Sequence, residues 1–390
     1  MLVTARGAAR LLGGHPWVYR SDVVSAQASA GDLVSVHDRR GRRLGTALYS
    51  SASEITLRLL STRGIAADEF PTLLRERITQ AIDYRQRVVR DSDACRLLFS
   101  EADRLPGLVV DRYNDVLSMQ VLTQAMDREP VRSAVVETLL EQTQPAGIVE
   151  RVEPRIRELE KLPPATDRLL TGEKTATVFT MNDVRFHYEA LTGQKTGAFL
   201  DQRENYSAAA AYAQGDGLDV FCYQGGFALH LARVCRSVTG VDSSRPALEV
   251  ADRNAALNRA EGRPEVEWIE ANAFDLLKDY AAAGRQFDTI VLDPPAFARS
   301  RRSLPTALRG YKEINLRALK MLRPGGVLVT CSCSYHLSEA EFLDMLAAAA
   351  QDARRTLRVL ERRGQAKDHP VVPSIPETAY LKCLILSVSN

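Results

Sequence analysis

Cys331 and Cys333 stand two positions apart at the end of an apolar run, Val327 to Cys331. If extended backbone continues through both, side chains alternate and the two thiols point to one face. A thiolate is a nucleophile, so such a pair offers covalent chemistry. Cysteine also packs like a small hydrophobe, and taken alone the pair reads as buried structural thiols. Asp293-Pro294-Pro295-Ala296-Phe297 follows a second apolar run. Its two prolines make a stiff, pre-set loop that would hold Asp293 at the edge where open α/β sheets bind ligands. A third run, Leu218 to Cys222, passes through Tyr223-Gln224 into Gly225-Gly226, and glycines there let backbone N–H groups and a helix N-terminus approach a ligand. Asp242 ends the following run, 16 residues after Gly226, about where a carboxylate would reach ribose hydroxyls. Together these features point to a nucleoside-bearing cofactor. The glycine spacings of dinucleotide folds and of P-loops are both missing, which argues against a dinucleotide. A Gly-Gly turn after a strand also occurs with no ligand at all.

The elements that would position these groups change character along the chain. Residues 1 to 60 read as short strands separated by turns, a small all-β module, with a boundary near residues 61 to 69. From Phe70 apolar residues fall at helical spacing through Val89. Leu105 to Arg112 and Val116 to Leu122 alternate about Tyr113-Asn114-Asp115, which is hairpin chemistry, and an amphipathic helix is predicted from about Asp127 to Glu141. Strands are also predicted at Ile148 to Val152, Thr177 to Met181 and Val184 to Tyr188, making this stretch α+β. Arg151 to Arg168, with three prolines and five Lys/Arg against four acids, reads as an exposed loop. After Gly193 short apolar strands alternate with helices to the end of the chain, the pattern of a mostly parallel, doubly wound sheet. The division expected is 1–68, 69–190 and 191–390.

Composition agrees with two or three domains. The chain has 390 residues, 45% hydrophobic and 26% charged, an ordinary globular balance that excludes disorder and fibrous repeats. No run approaches the length of a membrane span and the first residues lack a signal-peptide core, so the cytoplasm is the expected location. Six cysteines in this pattern make no disulfide framework, and no Cys/His spacing fits a zinc site. Net charge is only +2, yet residues 1 to 60 hold eight Arg against four acids. Residues 299 to 323 hold eight Lys/Arg, among them Arg299, Arg301 and Arg302, against Glu313 alone. Such patches suit phosphate-rich partners or are simply solvated faces.

Asp219 to Gly226, Asp242, Asn272 to Asp275 and Asp293-Pro294-Pro295 resemble the ordered motifs of class I S-adenosylmethionine-dependent methyltransferases. More specifically, Gly14-His15-Pro16-Trp17-Val18-Tyr19, the run Gly107 to Tyr113, the long run Gly193 to Arg203, Thr330-Cys331-Ser332-Cys333-Ser334 and Asp368-His369-Pro370 resemble one family. It is the bacterial 23S ribosomal RNA large-subunit cytosine-5 methyltransferases. The resemblance covers nearly the whole chain. It implies a small β-barrel PUA-like RNA-binding domain, a central α+β domain and a Rossmann-like methyltransferase domain, with S-adenosylmethionine as cofactor and 23S ribosomal RNA or a large-subunit assembly intermediate as partner. Relatives also suggest a homodimer.

By motif position the resemblance sets Asp219 and the Gly225-Gly226 turn by the methionine part of the cofactor, with Phe221 and Gln224 also expected to bind it. Asp242 and Ser243 fall at the ribose and Asn272 with Ala273 at the adenine, while Lys195, Asp201, Arg203 and Asp293 line the site. Carbon 5 of cytosine is a poor nucleophile until a thiolate adds to carbon 6. Counted from Gly325-Gly326, Cys333 matches the family thiol, with Cys331 in reserve. Many RNA cytosine-5 methyltransferases carry a second cysteine in the loop that here holds Asp293; this chain has none there, which leaves the base that releases the product open. That loop equally resembles the Asp-Pro-Pro-aromatic motif of enzymes that methylate exocyclic amines, an alternative chemistry. Phe297 would stack on a flipped-out base or pack into the core, and Arg299, Arg301 and Arg302 would lie near the substrate entrance. Two further alternatives are a nicotinamide-dependent oxidoreductase on a similar sheet and an RNA-binding protein with an inactive methyltransferase domain.

Overall fold

The computed structural model describes residues 1–191, 198–298 and 300–390. Lys195 and Arg299 lie outside the described residues. The chain divides into two compact units. One comprises Met1–Thr180, a run beginning at Tyr188, and Lys367–Thr378; the other comprises Met181–His187, Ala198–Ala366 and Ala379–Asn390.

In the first unit the opening residues form a six-stranded sheet, ordered Trp17–Tyr19, Ile55–Ser61, Arg43–Tyr49, Leu33–His37, Leu2–Val3, Val23–Ser25. The all-β expectation needs one correction, a helix over Ala5–Leu12. The Thr4 hydroxyl caps it by accepting the Gly7 N–H at 3.1 Å. Gly7, Ala8 and Leu11 face inward while arginines face out, and eight residues are too few to show that periodicity plainly. A five-stranded sheet follows, ordered Arg168–Gly172, Gly147–Glu150, Val116–Val121, Leu108–Tyr113, Ala94–Phe99. Asn114, at φ 51°, makes the predicted hairpin turn. Helices over Phe70–Val88 and Glu129–Thr143 contribute Leu74, Ile78, Val135 and Leu139 to one apolar cluster that also holds Leu48 and Leu60 of the first sheet.

The stretch expected as an exposed loop is instead partly helical, over Pro154–Glu160, with Arg157 and Glu160 buried. Glu160 accepts hydrogen bonds from Arg58 at 3.0 Å and the Ser50 hydroxyl at 2.7 Å. Only Arg157 and Glu160 are consumed internally; Glu153, Arg155, Glu158 and Lys161 remain exposed, as the loop reading expected. Arg85 plays a similar part on the long helix. Fully buried, it donates to the carbonyls of Arg96 and Asp368 at 2.9 and 2.8 Å and to Asp103 at 2.6 Å. It thereby fastens Lys367–Thr378 to a helix nearly 300 residues earlier in the chain.

The second unit is built on a seven-stranded sheet. We number its strands β1 (Asp216–Val220), β2 (Ser237–Asp242), β3 (Val266–Glu270), β4 (Phe287–Leu292), β5 (Leu322–Ser332), β6 (Thr356–Arg363) and β7 (Lys382–Ser389). Their order is β3-β2-β1-β4-β5-β7-β6, with β7 antiparallel to both neighbours and the other pairings parallel. This is the expected doubly wound sheet, with β6 an unforeseen edge strand. The helix Leu304–Met321 packs Ala307, Tyr311, Ile314 and Ala318 onto the apolar residues of β1, β4 and β5. Register matters more than composition here. Val220 pairs with Val241 and with Leu292, and Leu292 pairs with Thr330. Phe221, Asp242, Asp293 and Cys331 are therefore the next residues out along a single carboxyl edge.

Replacing Arg85 by Leu leaves Asp103 and two carbonyls without their donor inside the protein. The expected cost is about 3 kcal/mol, read as a lower urea midpoint for the first unit by intrinsic fluorescence; an unchanged midpoint would remove Arg85 as a fastening.

Candidate active site

Asp219, the fourth residue of β1, is fully buried. Its Oδ2 accepts the Ala228 N–H at 2.8 Å, while Oδ1 has no hydrogen-bond partner. Burial drives this carboxyl well above its usual range, helped by the charges of Asp293 and Asp242 and opposed by the Ala228 N–H. The turn beyond it is forced. Phe221 and Tyr223 adopt left-handed backbone at φ 68° and 50°, as does Gly225 at 86°, and non-glycine residues hold that conformation only where surroundings impose it. The Tyr223 N–H donates to Asp242 Oδ2 at 2.9 Å, and Asp242 Oδ1 accepts the Ser244 N–H at the same distance. Asp242 thus shapes the turn as well as facing the edge.

The glycines have a packing role beside the ligand approach the sequence suggested. A Cβ on Gly226 would stand 2.5 Å from the Tyr206 ring, and one on Gly225 would stand 2.8 Å from Trp268. His230 holds the same helix start by its Nδ1 contact to the Gly226 carbonyl at 2.7 Å, and burial pushes its pKa down to about 4, so it is neutral. Tyr206 and the turn thereby frame a small cavity lined by Phe199, Phe221, Gln224, Phe227 and Asp293.

At the next strands Asp293 is half-buried. Burial beside Asp201 pushes its carboxyl up to about 7, with the Gln202 amide opposing. The two cysteines, expected to share a face, are separated because β5 ends at Ser332. Cys331 is buried in register with Cys383, and burial together with that thiol raises it far above the ordinary range. Cys333 lies past the strand, half-buried, with Sγ 4.0 Å from the Pro294 carbonyl. Burial, Asp293 and Asp201 push its thiol up to about 11, and Lys382 pulls the other way. Lys382 donates to the carbonyls of Ser334 and Tyr380 at 2.7 and 2.8 Å, and burial brings it down to about 8. Asp201 accepts the Tyr380 hydroxyl at 2.7 Å. Sequence reasoning missed Tyr206, Tyr380 and Lys382, whose local pattern carries no mark, and passed over Phe199 although it stands within the run Gly193 to Arg203.

Other expected residues fall less centrally. Arg203 is buried at the start of the helix Arg203–Tyr212. Asn272 is exposed and caps the helix Ala273–Ala282, its Oδ1 accepting the Phe274 N–H at 2.9 Å; Ala273 behind it is buried and Ser243 is exposed. Phe297 is half-buried with its ring 4.7 Å from that of Tyr311 and 5.9 Å from that of Phe274, so it packs on the core. Arg301 and Arg302 are exposed. Much of the basic segment is paired: Arg301 with Glu341, Lys312 with Asp352, Arg317 with Glu313, and Arg323 with Asp288 and Asp216.

Comparison with known proteins decides what this edge is. A PUA-like domain model matches residues 1–62, and a model described as S-adenosylmethionine-dependent methyltransferase matches residues 104–387. The chain belongs to the S-adenosylmethionine-dependent methyltransferase family. The methyltransferase is similar to proteins named ribosomal RNA large subunit methyltransferase I. The one from Pseudoalteromonas translucida is 36% identical over 383 residues, 96% of this chain and 95% of that protein. The one from Shewanella denitrificans is 38% identical over 386 residues, with the same coverage. Two solved structures share the fold at 18% identity and TM-score 0.82, covering 99% of each chain. One is given as a methyltransferase from Streptococcus mutans; the other is a complex with SAH.

The methyltransferase uses S-adenosylmethionine, and its residues fit that cofactor. The unpartnered Asp219 Oδ1 offers a buried acceptor to a donor group. The aromatic walls of the cavity suit a sulfonium cation. Each Asp242 oxygen keeps a second lone pair for a hydroxyl. Gly226→Ala pushes a methyl group into Tyr206, and its expected effect is an affinity for S-adenosylmethionine lowered tenfold or more by titration calorimetry, with the fold retained by circular dichroism. Unchanged affinity would show that Tyr206 is not a wall of the site.

Proposed function

We propose that this methyltransferase acts on large-subunit ribosomal RNA and forms 5-methylcytosine through a Cys333 thiolate. The relatives' names motivate the RNA. The observation that carries the chemistry is the contrast between the two thiols: Cys333 is half-buried beside the Asp293-Pro294 loop, while Cys331 is sealed against Cys383. In this reading residues 1–68 and 69–190 grip RNA and residues 191–390 carry the transfer. Asp219, Phe221, Gln224 and the Gly225-Gly226 turn hold the methionine part of the cofactor, Asp242 and Ser243 the ribose, and Asn272 with Ala273 the adenine. Asp201 and Arg203 complete the site, and the exposed Arg301 and Arg302 stand at the substrate entrance.

S-adenosylmethionine supplies an electrophilic methyl group on its sulfonium. The Cys333 thiolate adds to carbon 6 of the flipped-out cytosine, and the electrons of the 5,6 double bond make carbon 5 the nucleophile that takes the methyl. Asp293 then accepts the carbon 5 proton. The electrons of that C–H bond restore the double bond, and the carbon 6–sulfur bond breaks to return the thiolate. A carboxyl pushed up to about 7 is matched to such proton transfer at neutral pH, and the Lys382 ammonium opposes the burial that disfavours the thiolate.

Tritiated methyl transfer to unmodified large-subunit RNA, followed by nucleoside analysis, is expected to give 5-methylcytidine. Cys333→Ser is expected to lose at least a thousandfold in rate and Cys331→Ser less than tenfold. An N-methylated product, or an active Cys333→Ser variant, would instead favour amine chemistry at the Asp293 loop.

The pH dependence follows from two groups that both work deprotonated. Because Asp293 titrates near 7 and the Cys333 thiol near 11, single-turnover rates are expected to rise with pH between 6 and 9. Below about pH 7 each unit costs a further tenfold as Asp293 gains its proton. Rates that fall as pH rises would contradict both roles, and Asp293→Asn should remove the break near 7.

A further inference from the structure

The first unit contains a cavity of about 560 Å³ that the transfer chemistry does not use. It is enclosed by the end of the strand Ile55–Ser61, the helix Phe70–Val88, the turn at Glu101–Pro106 and the returning segment at Val372–Ile375. Its size lies within the roughly 300–1,000 Å³ range of small-ligand pockets.

Its charge is unusual. Arg77 lines the cavity and is only 5% exposed. Its guanidinium donates to the carbonyls of Arg104 at 2.5 Å and Leu60 at 2.6 Å, and among the described residues no carboxylate pairs with it. A buried charge held by carbonyls alone is costly without a counter-ion. Burial and the neighbouring Arg104 bring this arginine down to about 10, and only Glu76 of its own helix opposes. Arg63 and Arg104, both exposed, add two more cations to the lining, and Arg104 donates to Gln80 at 3.0 Å. Against these three stand two acids. Glu76 is exposed on the helix. Glu101 is already occupied, accepting the Trp17 indole N–H at 2.9 Å, with Arg58 at 3.7 Å and the Ser100 hydroxyl on its other oxygen. An anion is therefore what the cavity lacks.

The remaining walls are mixed: Leu59, Leu73 and Ile375 face the same space, beside Ser61, Thr62, Gln80 and Ser374. Single-stranded RNA is recognised where bases lie on apolar or guanidinium surfaces while phosphates meet arginine. We infer that this cavity receives one nucleotide of single-stranded RNA, its phosphodiester against Arg63, Arg77 and Arg104 and its base against Leu59, Leu73 and Ile375. The inference deepens the reading of RNA as substrate and rests on it.

The test uses the full chain and a fluorescein-labelled ten-nucleotide single-stranded RNA, titrated by anisotropy from 50 to 300 mM KCl. In the Arg63→Gln/Arg104→Gln double variant the Kd is expected to rise at least tenfold. The slope of log affinity against log salt should fall by about 1.4, two phosphate contacts at about 0.7 each. S-adenosylmethionine binding should stay unchanged. Independently of any variant, 4-thiouridine RNA should photo-crosslink to wild-type peptides spanning residues 59–65, 73–80 or 101–106. An unaltered Kd and slope, or crosslinks confined to other peptides, would overturn the inference. So would AMP or inorganic phosphate abolishing those crosslinks at micromolar concentration without weakening oligonucleotide binding, since the cavity would then serve a free phosphate compound. Methyl transfer by the wild type is scored separately. Transfer to RNA without these crosslinks sinks the cavity alone, and crosslinks without transfer sink the proposed reaction alone.

Discussion

The active edge depends on one carboxylate kept out of water. Asp219 is sealed at the end of the central strand, with one oxygen fixed by the Ala228 N–H and the other unpartnered. An unmet acceptor in a low-dielectric interior costs free energy, and a protein keeps one only where something else meets it or the surroundings fix it. Here the second condition is visible. The parallel sheet fixes Asp219 from both sides, through Gly240 and Val291 in register, and the helix that begins at Gly226 supplies the single N–H.

The neighbouring features follow from that constraint. To bring Ala228 onto Asp219 the chain must reverse within a few residues, which drives Phe221, Tyr223 and Gly225 into left-handed backbone. Asp242 holds the reversal through the Tyr223 N–H, so the carboxylate ending the second strand stabilises the turn after the first. Tyr206 closes against Gly226 from another helix. The geometry of this edge is thus set by sheet register and packing.

Acidity along the same edge is graded by burial and by like charge. Burial raises Asp219, Asp293 and Cys333, and the charge of Asp293 adds to the shift at both of the others. Asp293 ends near neutrality because Gln202 and partial exposure temper the effect, whereas the sealed Cys331 is driven much further. Lys382, itself lowered to about 8 by burial, is the compensating cation at Cys333. The graded set leaves Asp293 near neutrality, Cys333 raised less than Cys331, and Cys331 sealed.

Much of this was legible in the order of residues. Apolar runs followed by Gly225-Gly226, Asp242 and Asp293-Pro294-Pro295 announce a doubly wound sheet and its ligand edge, because strand ends and stiff turns are local properties of sequence. The class of cofactor follows from the same spacing. The helix Ala5–Leu12 and the short helix Pro154–Glu160 were not legible, the second because it turns only Arg157 and Glu160 inward and leaves its other charges in solvent like a loop. Nor could sequence separate Cys331 from Cys333. That depended on β5 ending at Ser332 and on Cys383 arriving from the last strand to cover one thiol and not the other. Tyr380, Lys382 and the uncompensated Arg77 belong with them. Residue types and local turns were determined by the sequence; exposure, partner and acidity were decided by segments far apart in the chain, because desolvation is a property of the whole packing and not of any one segment.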